Sequence, residues 1–507
     1  MAASFLYRIA SIRSKEWGSE LGRYTFRRPK NNRILVLVTL LCVGLILLIL
    51  YVQGRIVGLR QLLSQMNLPE MPAAEEEVVE PVTLPYSQDI RVVLMDSDQN
   101  IYRGAVCVYG DGGMSVTTGN LTSAFGANEV YQIADAQCRE SGNVRIVAAQ
   151  GGELYLQNEN GQISNGYEGT LELCATQEGI VVVNEIPIEY YLKRVVPSEM
   201  PRTYGAEALK AQAVCARTYA YGHSNTYAYP EVNAQMDDTV SFQVYNQTGE
   251  SQETNQAVAD TAGQILTGSD GVIDALYYST SCGYAQDGTI FGEHMDTDIF
   301  TSFYIGMEHS PCDFDTYLRS PDESAYESSE RYFRWTVQLS DDNGNMEVLR
   351  TRLQALLASG EDIECSKKMK KKITDTSLNA EEAFGGICDL VVRQRNAGGA
   401  VMTMDLICET GTVTICDQLH IREVLGSLAG SLQLQNNEVV AQVNSLPSAA
   451  ISVQKQTDGT FVVYGGGYGH GVGMSQNGAK ALAVLGYNYQ DILSYFYKNT
   501  TLASWEE

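Results

Sequence analysis

The chain has 507 residues, 44% of them apolar and 19% charged, with a formal net charge of −26. That length supports two or three domain-sized units with cores of their own, and without low-complexity tracts global disorder is excluded. So acidic a chain is repelled by phosphate backbones, which argues against nucleic acid as a partner.

Residues 1–33 hold eight Lys/Arg (Arg8, Arg13, Lys15, Arg23, Arg27, Arg28, Lys30, Arg33) against Glu16 and Glu20. The run that follows, ILVLVTLLCVGLILLILYV over 34–52, carries no charge and suits one membrane-spanning helix, which needs about 20 residues. It is longer than a signal-peptide core, and no small-residue cleavage site follows. The basic flank predicts a cytoplasmic tail over 1–33 and an extracytoplasmic remainder, that is, a single-pass cell-membrane protein. Residues 53–87 read as a juxtamembrane helix and then a Pro-rich, acidic stalk. Ten of the eleven cysteines lie beyond the apolar run with no CxxC pair, so disulfides and free, apolar-packed thiols fit equally.

From 88 to 187 the texture is β-like. IRVVLMD, VRIVAAQ, GELYLQ, YEGTLEL and GIVVVNEI are short β-branched runs separated by Gly, Asn and Asp, an antiparallel pattern. At Ile188 the pattern changes: IEYYLKRVV suits a short helix or a strand. VVPSEMP follows, with Glu199 between Pro197 and Pro201. Then Ala206, Leu209, Ala213, Ala216 and Ala220 recur at spacings of three and four, one small-residue face of a helix. ALYYSTSCGYAQ reads as a strand ending in a tight turn. Residues 310–447 are charged, with a helix at MEVLRTRLQALLASG and a basic KKMKKK cluster, and read as an inserted lobe. Over 448–507 a strand meets a Gly-rich loop, GGGYGHGVGMSQNGA, and a second Ala-rich helix.

Three stretches could carry chemistry. Glu199, placed just before a helix, could merely complement the macrodipole, which is worth about 0.3–1 kcal/mol. The alternative is a catalytic acid. Two prolines stiffen its loop, Val196 and Met200 are apolar neighbours, and desolvation there would have to outweigh the dipole to raise its pKa. The Gly-rich loop lacks the Lys and Ser/Thr spacing of a phosphate loop, and Ser475 or Asn477 could simply cap the helix. In YYSTSCG, Cys282 needs a histidine in space to act as a nucleophile. Alternatively, Ser279, Thr280 and Ser281 could line a sugar groove and Tyr277 and Tyr278 stack on a ring. The five histidines are dispersed, with no zinc spacing.

Taken together and in this order, YEGTLEL…IVVVNEIPIEYYLKRVVPSEMP, GAEALKAQAVCARTYA, QVYNQTGE, LYYSTSCGYAQ and GYGHGVGMSQNGAKALAVLGYNYQDILSYFY resemble the stage II sporulation protein D family, which is related to amidase enhancers of bacterial cell walls. The resemblance covers 88–503 except 310–447. It implies a lytic transglycosylase that cuts peptidoglycan between N-acetylmuramic acid and N-acetylglucosamine during engulfment, beside a cell-wall amidase and other engulfment membrane proteins. Glu199 then maps to the catalytic acid, and Gln212, Arg217, Tyr219, Ser279, Ser281, His470, Met474, Ser475 and Gln476 to the groove around it. Arg217 could instead lock the fold by pairing with a carboxylate. Clostridial relatives carry Cys and His zinc ligands before QVY. NAQMDDTVSFQVY has neither, so no metal or other cofactor is expected, and Asp237 and Asp238 are left to local hydrogen bonds. A non-catalytic, wall-binding scaffold that activates an amidase is the alternative. The expected fold class is α+β: one N-terminal transmembrane helix, a β-rich module (88–187), and a mixed catalytic core (188–309 and 448–507) interrupted by the lobe.

Overall fold

The computed structural model describes residues 89–504 apart from 159, 293–294, 308–311, 361–362 and 442. The tail, the expected membrane helix at 34–52 and the stalk lie outside the described residues, as do His294 and His309. The expected fold class is corrected accordingly. The described residues form a mixed α/β body in which no helix is long and apolar enough to cross a membrane. The longest, Ala206–Gly222 and Asn343–Ser359, have 17 residues each and include charged side chains.

A seven-stranded sheet opens the described chain. Its order is Met236–Asp237, Asp89–Leu94, Ile180–Pro187, Thr170–Ala175, Val144–Ala148, Met114–Thr118, Leu121–Phe125. Only the first pair is parallel. Ile180–Pro187 is covered on both faces. The two-residue period sends Ile180, Val182 and Ile186 into the main core, and Val181 and Val183 into a smaller cluster with Val93, Val232 and Ala234. Double burial is why this strand reads as an unbroken apolar run.

That strand runs straight into helix Ile188–Glu199, which resolves IEYYLKRVV as helical. A 3-10 turn at Arg202–Tyr204 then leads into the central helix, Ala206–Gly222. Ala208, Ala211, Ala213, Ala216 and Ala220 are all buried. Their small side chains let helices Ile188–Glu199, Gln252–Asp260, Gln476–Leu485 and Tyr489–Phe496 pack against this one helix. Downstream, Tyr277–Tyr278 and Met474–Ser475 pair as short parallel strands, bringing YYSTSCG beside the Gly-rich loop.

A second core gathers residues between 335 and 463. Trp335–Leu339 lies between Ala429–Leu434 and Phe461–Gly465 in a five-stranded sheet. A four-stranded antiparallel sheet contains Val401–Cys408 and Ile387–Arg395. Helix Asn343–Ser359 buries Leu349 and Leu353 here, and KKMKKK forms helix Lys367–Thr374, burying Met369 and Ile373. Phe461–Gly465 thus joins the five-stranded sheet and feeds directly into the Gly-rich loop.

Candidate functional site

Glu199 is the last residue of helix Ile188–Glu199, with Pro197 inside the final turn and Met200 N–H closing on Val196 O at 2.9 Å. This reverses the expected placement ahead of a helix. The carboxyl stands at the negative end of a macrodipole, which disfavours its ionised form. Burial pushes its pKa from 4.5 up to about 7, held down by the Val244 N–H, the Tyr277 hydroxyl and the Gln476 amide. Val244 N donates to Oε1 at 2.6 Å. Gln476 Nε2 donates to the Glu199 carbonyl at 3.0 Å and to Gln212 Oε1 at 3.3 Å. Among the described residues no cation pairs with Glu199, so desolvation sets the direction.

A cleft of about 560 Å³ has Glu199 in its wall. It is bordered by Pro197–Thr203 on one side and Thr248–Ser251 on the other, including Arg202, Thr203 and Ser251. Such a volume lies within the range of small-ligand sites, about 300–1,000 Å³. The Gly-rich loop does not border the cleft. It supports Glu199 from the inner side, through Gln476.

The glycines of that loop serve close packing. Gly473 has φ +78°, and a Cβ there would come within 2.0 Å of Leu276 O. At Gly469, with φ +113°, it would meet Tyr278 Cβ at 2.7 Å. His470 is held through both ring nitrogens. Nδ1 accepts from Val472 N at 3.1 Å, which assigns the proton to Nε2, donating to Tyr277 O at 3.1 Å. Burial lowers its pKa to about 4, so the ring is neutral and fixes the Tyr277 backbone.

The other expected groove residues divide into two sets. Gln212 and Gln476 meet at the back of Glu199, and Met474 pairs in register with Tyr277. Gln212 is fully buried, and its Nε2 has no partner among the described residues. Ser475 caps helix Gln476–Leu485, accepting from Gly478 N at 3.2 Å. None of the nine expected groove residues lines the cleft, and Arg217, Tyr219, Ser279 and Ser281 are engaged elsewhere. Arg217 is wholly buried and grips both oxygens of Glu189, Nε at 2.7 Å and Nη2 at 2.9 Å, while also donating to Thr261, Gln264 and Val258. Tyr219 stacks on His223 with centroids 4.2 Å apart. Ser279 is half-buried beside Thr280. Ser281 donates to Glu327, and the space between it and His470 is nearly filled, about 10 Å³. Cys282 is buried and its thiol is pushed up by desolvation, the opposite of an activated nucleophile.

Residues missed from sequence are Val244, whose contribution is a backbone N–H, and Arg202, Thr203 and Ser251 on the cleft wall. Arg202 and Thr203 directly follow VVPSEMP, a signal present in the chain. For metals, Asp237 is occupied by Tyr229 and Thr239, and Asp238 accepts from Met95 N. Glu153, Glu168 and Glu250 have carboxylate oxygens within 4.8 Å of one another. Arg194 pairs with both Glu153 and Glu250, so two of the three acids already have a cationic partner.

Residues 176–267, which span Glu199 and the central helix, match the family described as Stage II sporulation protein. Residues 359–473 match a domain of unknown function (DUF8618). Stage II sporulation protein D of Bacillus subtilis (strain 168) is 30% identical over 337 residues, 63% of this chain and 76% of that protein. The same-named protein of Bacillus amyloliquefaciens is 26% identical over 337 residues, 63% of this chain and 75% of that protein. An amidase enhancer of Bacillus subtilis (strain 168) is 27% identical over 331 residues, covering 62% of this chain and 40% of that longer relative.

Proposed function

This chain belongs to the stage II sporulation protein D family, which gives it a sporulation role related to the cell wall, and on that footing we propose that it is a peptidoglycan lytic transglycosylase with Glu199 as its acid. One observation carries the reading: Glu199, whose carboxyl has its pKa raised to about 7, is in the wall of a cleft of about 560 Å³. A group poised near neutrality both holds and releases a proton efficiently. Protonated Glu199 gives its proton to the glycosidic oxygen as the bond from C1 of N-acetylmuramic acid breaks and an oxocarbenium-like centre forms. The resulting carboxylate, received by the Val244 N–H and the Tyr277 hydroxyl, takes the proton of the sugar's own C6 hydroxyl as O6 bonds to C1. The product is a 1,6-anhydro end, no water is consumed, and Glu199 returns to its starting state. One carboxyl is enough because it acts in both steps. The partners that fit are glycan strands outside the membrane, a cell-wall amidase and other engulfment proteins.

The amidase-enhancer relative favours a second reading, a wall-binding scaffold without chemistry of its own. Incubating the protein with peptide-free glycan strands separates the two. Anhydro-muramyl ends by mass spectrometry from wild type, and none from Glu199→Gln, support the enzyme. No product from either, with amidase activity still enhanced, supports the scaffold.

A further inference from the structure

We propose that Glu327 is a positioning residue for Glu199, acting through Ser475 and Gln476. The kinetic part of this inference rests on the transglycosylase reading; the geometric part does not.

Glu327 comes from the 310–447 stretch, yet its carboxyl is enclosed in the main core, 1% exposed. It accepts from Ser281 N at 2.8 Å, Ser281 Oγ at 2.6 Å and Ser475 Oγ at 2.7 Å. The two hydroxyls are themselves acceptors, Ser281 Oγ from Gly283 N at 3.1 Å and Ser475 Oγ from Gly478 N at 3.2 Å. Their protons are therefore directed at Glu327. Three donors converge on one group, and an ionised carboxylate, which only accepts, satisfies all of them. The start of helix Gln476–Leu485 beside it favours the negative charge.

Ser475 ends one of the two paired strands and Ser281 lies just past the other, with Tyr277 facing Met474 and Tyr278 facing Ser475. Both inner contacts to Glu199 leave from this pair. The Tyr277 hydroxyl comes from one strand, and the Gln476 amide comes from the residue after Ser475. Pinning Ser281 to Ser475 fixes the divergence of the strand ends and the direction in which Gln476 starts. A second grip lies just outside. Glu330 pairs with Lys480 at 2.8 Å, Lys480 sits 5.0 Å over the Tyr204 ring, and the Tyr204 hydroxyl donates to Asn477 Oδ1 at 2.7 Å. Space is tight as well: a Cβ on Gly478 would come 3.1 Å from Glu327 Oε1 and 2.8 Å from Phe496 Cζ.

A brace alone does not require a carboxyl. Burying one without a cationic partner is costly, and an apolar side chain would fill the space without that cost. What the carboxylate adds is direction: it sets the orientation of two hydroxyls and, through Ser475, of the helix start.

The test is Glu327→Gln in the full chain, read by kinetics on peptide-free glycan and by the variant's crystal structure. The expected result is kcat lowered about 10- to 100-fold with KM within about twofold, and Gln476 Nε2 moved out of hydrogen-bond reach of the Glu199 carbonyl. A folded variant with wild-type kcat and an unmoved Gln476 overturns the proposal. If Glu327→Gln does not fold, Ser475→Ala decides by the same two measures. If wild type makes no anhydro product, the catalytic reading fails separately, and the Gln476 displacement alone decides for or against positioning.

Discussion

Glu199 and Glu327 are two carboxyls that burial pushes from 4.5 up to about 7, in regions built for opposite purposes. Glu199 closes a helix at its negative end, half-buried, with a cleft beside it. Glu327 is sealed, stands at the positive start of another helix, and has three donors turned on it. An equal shift in pKa therefore does not identify the proton donor; access to a cleft does. Arg217 teaches the same lesson from the cationic side. A buried guanidinium that is fully engaged with Glu189 and three further acceptors has no donor left for a ligand.

The largest expected effect removes the acid: Glu199→Gln lowers kcat by about 10²–10⁴-fold with KM nearly unchanged, measured by anhydro-end formation. A substantial KM change at constant kcat would mean that Glu199 only binds. Next, Arg217→Ala should destabilise the fold by about 3–5 kcal/mol in urea unfolding, because Glu189, Thr261 and two carbonyls lose their partner in or near the core. Its folded fraction should keep a kcat near wild type. A selective loss of kcat would return Arg217 to the groove.

The pH dependence sharpens the contrast between the carboxyls and His470. The acid must be protonated, so kcat/KM should fall above pH about 7, approaching tenfold per unit, as Glu199 ionises. No limb should appear near pH 6.5 from His470, which stays neutral because burial lowers it to about 4. The smallest effect concerns stability. Glu199 binds its proton more tightly folded than unfolded, so the stability it contributes is full below pH 4.5, declines as pH rises to about 7 and is absent above. Glu199→Gln should therefore be more stable than wild type at pH 8, by about 1–2 kcal/mol after allowance for its partial exposure, measured by thermal unfolding at pH 5 and pH 8.

Much of this was legible along the chain. β-branched runs such as IVVVNEI and VRIVAAQ lie on strands, and the alanine spacing of 206–220 lies on a helix, because strand and helix periods are local properties of the backbone. VVPSEMP pointed to its acid through neighbours in sequence. The side of the helix on which Glu199 lies was read in reverse, since the two prolines suggested a break where Pro197 is accommodated in a last turn. The membrane-spanning part of the expected fold has no counterpart among the described helices.

By itself the sequence determined the strand runs, the close-packing helix and the choice of Glu199 as the acid to watch. Only the tertiary structure decided what surrounds it. The Val244 N–H, the Gln476 amide and the Tyr277 hydroxyl come from segments 45 to 277 residues away, and Glu327 enters the core from a stretch whose texture suggested a separate lobe. Desolvation and hydrogen-bond direction depend on which distant groups fill the space around a side chain, and that is settled when sheets and helices pack, not by the residues on either side.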